Sequence, residues 1–282
     1  MVTSPRIRIA LSAACATALA LATPIVEASP ASAADTITAA DQPYFAYYHL
    51  DQARAKGYTG KGVTVAIIDG KVDTSANELN GATVTDKTPC TVTVTPESTG
   101  HGTGTASILV ARDYGVVPDA TLLAYQTDAG DADPGSDCTG IGGINLAGYP
   151  SLINHAINDG AQIINLSAGS SDHSNELRWA IARAIHRGIL ITGSAGNEAR
   201  DANNKHLGWW SGVVGVSAVD QNGTFASYSS WGQGVTTAAV GGPVVTRDYP
   251  SNAFVETYGT SSSAPIVAGF LALARQKWPD AT

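Results

Sequence analysis

The segment Gly259–Pro265 reads Gly-Thr-Ser-Ser-Ser-Ala-Pro and leads into an apolar helix predicted over Ala264–Trp278. Ser261 therefore lies near a helix N-terminus, where free backbone N–H groups and the positive end of the helix dipole favour developing negative charge. That setting suits a nucleophile. Serine is also a favoured N-cap residue, so the segment taken alone favours a simple capping role.

Three more polar residues upstream have settings that suit the same chemistry. Asp69 ends an apolar run, His101 lies between two glycines just before a predicted helix, and Asn197 lies in a glycine-containing turn after another apolar run. Each has an ordinary alternative. A strand-end Asp caps loops, a His beside glycines is commonly a loop residue, and Asn tolerates left-handed turn geometry.

Together these residue types could perform acyl transfer. A serine hydroxyl is a weak nucleophile until a neighbouring base takes its proton. Histidine can do so near neutral pH, and a carboxylate can orient the imidazole and stabilise its charged form. A side-chain amide can then stabilise the oxyanion. We therefore expect Asp69, His101 and Ser261 to be catalytic and Asn197 to be an oxyanion donor.

The elements that must position these residues alternate along the chain. Apolar, β-branched runs predict buried parallel strands at Gly62–Asp69, Thr121–Gln126, Ala161–Leu166, Gly188–Thr192 and Gly212–Ala218. Helical segments are predicted at Thr103–Ala111, Ala147–Asn158 and Asn175–Arg187. The alternation predicts a doubly wound α/β fold, whose sites gather at the carboxyl ends of the strands. Residues 35–58 are predicted to be an N-terminal arm.

Composition excludes several classes of protein. The chain has 282 residues, of which 44% are hydrophobic and 14% charged, so it can bury a sizeable core. Its formal net charge of −8, without a Lys/Arg cluster, argues against a nucleic-acid or membrane partner. We expect protein or peptide substrates and a monomer.

The N-terminus has the pattern of a secretory signal peptide over residues 1–34. Arg6 and Arg8 precede the apolar run Ile9–Ala22, which is too short to span a bilayer, and small residues follow it. Cys90 and Cys138 then remain as an even pair in an oxidising compartment, so the sequence predicts a disulfide, with two free thiols as the alternative. The predicted localisation is extracellular.

In order and spacing, the motifs resemble those of the subtilisin-like serine peptidases. The segments that carry the resemblance, from about Gln42 onward, are Gly62–Gly81, His101–Thr103, Gly115–Ala120, Ile164–Gly169, Ser194–Glu198 and Gly259–Gly269. The order Asp, His, Ser is that of subtilisin itself. The resemblance implies a three-layer fold with a mostly parallel twisted sheet and helices on both faces. It places the catalytic domain at residues 59–282.

The resemblance also implies roles for further residues. Ser167, Ala168 and Gly169 would pair with the substrate backbone as an added strand, and Gly196 would line the substrate site. Glu198 would lie near the pocket for the residue on the acyl side and favour basic or polar side chains there. No cofactor is needed for the chemistry. Structural calcium is a possibility that the resemblance leaves open, with Asp41, Asp73 and residues 128–137 as candidate ligands.

The sequence departs from the family pattern at several points. Gly70 and Lys71 follow the aspartate where Ser or Thr and then Gly are usual, so the hydrogen bonds that support Asp69 are expected to differ. Lys71 is expected to lower the pKa of nearby carboxylates. Gly104 replaces a larger residue, and Ser262-Ser263 replaces a more apolar pair. Few residues separate Ala34 from the start of the resemblance, so a catalytic domain without a long pro-domain is expected, and the C-terminus is expected to be truncated.

Other functions fit the sequence less well. An impaired scaffold of the same fold that binds peptides is the main alternative. An α/β-hydrolase esterase would need Gly-x-Ser-x-Gly, but Ser263 stands at the second glycine's place. The acid-acting sedolisins would need a carboxylate where His101 and Asn197 stand.

Overall fold

A parallel sheet of seven strands forms the middle layer of the protein. In the computed structural model, which describes residues 36–128, 133–170, 172–201 and 206–281, the strand order is β2-β3-β1-β4-β5-β6-β7. The strands are β1 Thr64–Asp69, β2 Thr83–Asp86, β3 Thr121–Gln126, β4 Ile163–Leu166, β5 Leu190–Ser194, β6 Val213–Asp220 and β7 Val235–Gly242. Every neighbouring pair of strands is parallel. The predicted signal peptide, residues 1–34, lies outside the described residues.

Helices cover both faces of this sheet, as predicted. They are α1 Pro43–Tyr47, α2 Leu50–Ala55, α3 Pro96–Val110, α4 Tyr149–Asn158, α5 Asn175–His186 and α6 Thr260–Lys277. Val65 and Ile67 of β1 belong to a core with α3 and α6, whereas Ala66 and Ile68 belong to a second core with α4 and α5. Because neighbouring strand residues point to opposite faces, a continuous apolar run such as β1 supplies both cores.

The five predicted strands all exist: β3 has the predicted bounds, and the bounds of the other four are shifted by at most two residues. Four further strands of the described part were missed. Strands β2 and β7 lie at the two edges of the sheet, and β8 Val244–Arg247 pairs antiparallel with β9 Phe254–Thr257 in a separate hairpin. Three of the four residues of β2 are exposed. Strands β2, β8 and β9 lack the continuous buried, apolar run that identifies a central strand, and β7 is buried only in its second half.

Residues 36–58, predicted only as an arm, contain α1 and α2 and contribute to the first core. Ile37, Tyr44 and Leu50 are almost completely buried there. The side chain of Gln42 exchanges two hydrogen bonds with the backbone of Val245, at 2.7 and 3.2 Å, which attaches this segment to β8. The segment is therefore an integral part of the described structure.

Cys90 and Cys138 form the predicted disulfide, with their Cα atoms 5.0 Å apart. The side chain of Cys138 packs with Val92 and Ala147 in a small cluster apart from the two main cores. Thr91 donates two hydrogen bonds to Oδ2 of Asp137, both of 3.0 Å, beside the disulfide.

Over the described ranges, no helix combines the length and the apolar character needed to cross a membrane.

Candidate active site

Asp69 and His101 meet at the carboxyl edge of the sheet, beside the point where the strand order reverses. Asp69 is the last residue of β1, which lies between β3 and β4, so a crevice opens above it. Its Oδ1 lies 2.5 Å from Nδ1 of His101. The Asp69 side chain is completely buried, whereas that of His101 is 39% exposed. The carboxylate thus holds one ring nitrogen and leaves the other available to the cleft.

His101 lies inside α3 and not before it, which corrects the sequence-based prediction. Thr95 caps the helix by accepting a hydrogen bond of 3.1 Å from the backbone N–H of Ser98, and Pro96 follows at a position that needs no N–H donor. These start signals place His101 in the second turn. Glycines at 100, 102 and 104 have low helix propensity, which explains why the pattern concealed this part of the helix.

The close approach of α3 to the end of β1 requires glycine on both sides. A Cβ atom on Gly70 would lie 2.1 Å from the carbonyl oxygen of Ser98, and one on Gly102 would lie 2.4 Å from that of Gly70. This contact explains why residue 70 of this chain is glycine. It fixes α3, and therefore His101, against Asp69.

The support of the Asp69 carboxylate is concentrated on one oxygen. Oδ1 accepts from His101 and from the backbone N–H of Gly70 at 2.6 Å. Oδ2 is buried without a hydrogen-bond partner among the described residues. A buried unpaired carboxylate oxygen is costly, so the attraction of His101 is the main compensation that the described side chains provide.

The electrostatic surroundings raise the pKa of His101 above its ordinary value. The main cause is the negative charge of Asp69, and burial acts in the opposite direction. The hydrogen bond to Asp69 and the charge of Glu97, one turn earlier on α3, raise the pKa further. The imidazolium form is therefore stabilised in this site.

Ser261 lies in the first turn of α6, whose N-cap is Gly259. The helix begins at Thr260, earlier than the predicted start at Ala264, so Ser261 is not the cap. Pro265 is not at the first helical position, which proline favours, but about one and a half turns into the helix. It is tolerated inside the helix, where its missing N–H deprives only the carbonyl of Ser261. The Ser261 backbone N–H remains one of the free donors at the helix start.

Thr260 connects Ser261 to the turn that contains Asn197. The backbone N–H and Oγ1 of Thr260 both donate to Oδ1 of Asn197, at 2.8 and 3.0 Å. The N–H of Gly196 in turn donates to Oγ1 of Thr260 at 3.0 Å. Because the amide oxygen of Asn197 accepts two hydrogen bonds, the amide NH₂ group points away from Thr260.

Ser261 and Asn197 converge on one place beside Gly259. A Cβ atom on Gly259 would lie 2.9 Å from Oγ of Ser261 and 3.2 Å from Nδ2 of Asn197. Together with His101, these two residues line two cavities, a first and a second, at this edge of the sheet. The structure thus brings together the hydroxyl, the imidazole and the amide that the sequence singled out.

The segment Ser167–Gly169 follows β4 and lines the second cavity, of about 360 Å³, together with Asp69 and Asn197. The carbonyl of Ser167 accepts from Oγ of Ser194 at 3.2 Å, and that of Ala168 accepts from the hydroxyl of Tyr149 at 3.1 Å. These contacts hold the segment in place from the protein side. Its role in substrate binding stays a prediction.

Glu198 is half exposed and lies 3.2 Å from Nε2 of His206. His206 lines the second cavity, whereas Glu198 is not among its lining residues. No motif surrounds His206 in the sequence, so it was not predicted as a site residue. The tertiary fold brings His206 to this cavity. If Glu198 influences which substrate side chain binds, it does so next to the imidazole of His206.

Lys71 forms a salt bridge with Asp86. Burial raises the pKa of Asp86, but hydrogen bonds from Lys71 and Thr88 outweigh it and lower the pKa below its usual range.

Of the candidate calcium ligands, Asp41 accepts a hydrogen bond from Thr38 and Asp73 accepts one from Ser75, and residues 129–132 lie outside the described part. Across the described ranges, no three His, Cys, Asp or Glu residues cluster as a metal site.

Comparisons with known proteins find matches along most of the chain. The profile of the subtilase family, Peptidase_S8, matches residues 60–282. A thermostable alkaline protease of Halalkalibacterium halodurans is 34% identical over 266 residues, which cover 92% of this chain and 69% of that protein. Subtilisin Savinase of Lederbergia lenta is 32% identical over 234 residues, which cover 80% of this chain and 81% of the relative. The matched region covers only 57% of an alkaline protease of Alkalihalobacillus alcalophilus and 57% of the M-protease of Shouchella clausii.

A solved structure has a similar fold. The crystal structure of MycP1 from the ESX-1 type VII secretion system superposes with a TM-score of 0.68 at 26% sequence identity. The superposition covers 89% of this chain and 78% of the MycP1 chain.

Proposed function

Because the chain belongs to the subtilase family of serine-type endopeptidases, we propose that it cleaves peptide bonds through Ser261, His101 and Asp69 by way of an acyl-enzyme. The observation that carries the proposal is the 2.5 Å contact between His101 and the buried Asp69 at the edge of a cleft that Ser261 shares. A peptide-binding scaffold would not need a buried carboxylate aimed at an imidazole.

In the first half of the reaction, Oγ of Ser261 attacks the scissile carbonyl and Nε2 of His101 takes the hydroxyl proton. Asp69 accepts the hydrogen bond from Nδ1, which fixes the tautomer and stabilises the imidazolium. The tetrahedral intermediate then collapses. His101 gives the proton to the departing amine, and the acyl group stays on Ser261.

In the second half, a water molecule attacks the acyl-enzyme. His101 takes a proton from the water and returns it to Ser261, which releases the new carboxyl terminus. Every group in this scheme is a side chain or a backbone N–H, so the proposed chemistry uses no cofactor.

Asn197 would stabilise the oxyanion in both halves, together with the backbone N–H of Ser261. Support for this role comes from the two hydrogen bonds that occupy its amide oxygen and from the position of Nδ2 beside Ser261. A donor that is fixed before the reaction needs no reorganisation when the charge forms, which makes it effective in catalysis.

On the acyl side, we expect the substrate to pair with Ser167–Gly169 as an added strand, with Gly196 and Glu198 beside the first side chain. Proteins or peptides are the proposed substrates, and the protein would act as a monomer. We also propose that it is secreted, since Arg6, Arg8 and the run Ile9–Ala22 suit a signal peptide and Cys90–Cys138 suits an oxidising compartment.

The proposal is tested with wild type and Ser261→Ala on an unfolded protein substrate. Wild type should cleave it, and the variant should lose activity by a factor of about 10⁶, as subtilisin does when its catalytic serine is removed. An active-site serine probe should label only wild type. Equal activity in both proteins contradicts the mechanism. Peptide binding without labelling of folded wild type supports the scaffold alternative.

A further inference from the structure

The larger of the two cavities described above, of about 660 Å³, differs from the second in its walls. Both contain His101, Asn197 and Ser261, but only the second contains Ser167–Gly169. If the acyl side of the substrate pairs with that segment, as the proposed function requires, the departing amine must leave through the larger cavity. The inference therefore rests on the proposed function and concerns the residue on the amine side of the scissile bond.

The floor of this larger cavity is formed where α3 passes β8. Gly104 lies in the middle of α3 and lines the cavity together with Ile108 and Thr246. A Cβ atom at Gly104 would lie 3.1 Å from Cγ2 of Thr246. Glycine in a helix interior is destabilising, and here the missing side chain lets α3 pass close to Thr246 of β8 at the edge of the cavity. Ser262, another small residue, follows the nucleophile and also lines the cavity.

Two tyrosine rings flank the cavity, and each hydroxyl has a partner that orients it. Tyr249 donates to Oδ2 of Asp73 at 3.0 Å, and Tyr258 donates to Oε2 of Glu256 at 3.0 Å. The Tyr258 side chain is 55% exposed, so its ring is available for contact with a substrate. Rings held in this way lose little freedom when an apolar side chain binds between them.

The charged groups of the cavity do not favour an acidic substrate residue. Glu97 and Asp248 both line it. Arg247 lies there too, but its guanidinium is 2.6 Å from the buried carboxylate of Glu78, which balances its charge. The remaining charge is negative and repels a carboxylate.

We propose that this cavity is a specificity pocket for the residue on the amine side of the scissile bond. It selects a large apolar side chain, aromatic before aliphatic, and it rejects Asp and Glu. Gly104 sets its depth and Tyr258 forms one wall. The absent side chain at Gly104 is the feature that carries this inference.

The test uses fluorogenic peptides that differ only in the residue after the scissile bond, which is Phe, Leu, Ala or Asp. For wild type, kcat/KM should be about tenfold or more higher for Phe than for Ala, with Asp lowest. In Gly104→Val and in Tyr258→Ala, the ratio of Phe to Ala should fall towards one. The ratio within each variant is the readout, so a general loss of activity does not affect it.

Trp179→Ala provides a matched control, because Trp179 is an aromatic residue 65% exposed on α5 and lies outside this cavity. It should keep the wild-type ratio. Equal kcat/KM for all four peptides in an active wild type overturns the pocket but leaves the proposed function intact. Failure of wild type to cleave any peptide or to react with the serine probe overturns the proposed function itself.

Discussion

At the scale of single residues, His101 is under the influence of two carboxylates with different positions. Asp69 is buried and contacts Nδ1 directly, whereas Glu97 lies one turn earlier on α3 and acts through its charge. Both raise the pKa of His101. Since a general base must be neutral to accept a proton, this shift determines the lowest pH at which the site can work.

The acid limb of kcat/KM should therefore have its midpoint above the ordinary histidine value of about 6.5, because protonated His101 cannot accept the proton of Ser261. In Glu97→Gln one cause of the raised pKa is removed, so the midpoint should move to lower pH. Glu176→Gln, which removes an exposed carboxylate from the first turn of α5, is the control and should leave it unchanged. An unchanged profile in Glu97→Gln contradicts the assignment.

The sequence identified Asp69, His101, Asn197 and Ser261 because each follows a recognisable local pattern. Thr260 and His206 were not identified. Their positions at the site depend on α6 approaching the turn after β5, and on the chain after Glu198 returning to the cleft. Contacts of this kind join segments that are far apart in the sequence, so local sequence patterns cannot predict them.

At the scale of elements, α3 links the catalytic residues to the larger cavity. One surface of this helix contacts the end of β1, and another borders the cavity. Gly100 and Gly102 lie two residues apart in this helix but have different surroundings. A Cβ on Gly100 would meet only ordinary contacts, the nearest at 3.6 Å, whereas one on Gly102 would overlap the backbone of Gly70 at 2.4 Å. Substitution of each glycine by alanine therefore distinguishes the effect of helix propensity, which both share, from the effect of close packing, which only Gly102 has.

Gly102→Ala should lower the free energy of unfolding by about 1–3 kcal/mol, because α3 must move away from β1 to accommodate the methyl group. The same movement should separate His101 from Asp69 and reduce kcat. Gly100→Ala, the matched control, should keep or slightly increase stability, as alanine favours helices. Chemical denaturation and peptide hydrolysis measure both effects. Equal stability in the two variants would show that the close approach of α3 to β1 is not needed.

The elements themselves were predictable to different degrees. The central strands β1, β3 and β4 are buried on both faces, so their apolar runs are clear in the sequence. The helices α4 and α5 were placed to within about two residues by their apolar stripes. The helices α3 and α6 begin earlier than predicted, since glycines and Pro265 conceal starts that tertiary packing stabilises. The β8–β9 hairpin, which walls the larger cavity, was not predicted at all.

At the scale of the whole molecule, two hydrophobic cores on opposite faces of the sheet stabilise the described structure. The segment that contains Cys138 contributes to neither of them and packs only in a small cluster. The disulfide joins residues 48 positions apart and ties this segment to the loop after β2. Neither cysteine lines a cavity at the site.

Replacement of both Cys90 and Cys138 by Ala should lower the free energy of unfolding by about 2–4 kcal/mol, because the crosslink restricts the unfolded chain. Activity at low temperature should persist. Thermal unfolding with and without a reductant supplies the control: the reductant should lower the midpoint of wild type but not that of the double variant. A reductant that has no effect on the wild-type midpoint, or equal midpoints for both proteins, would contradict a stabilising role of the disulfide.

Thr260 has a consequence that reaches beyond its own contacts. Its backbone and hydroxyl join the start of α6 to Gly196 and Asn197 through three hydrogen bonds, although Thr260 itself is buried. These bonds hold the backbone next to the attacking hydroxyl at a set position relative to the amide that would receive the new charge. We therefore expect the distance between attack and stabilisation to depend on Thr260 and not on the outer loops that a substrate meets first.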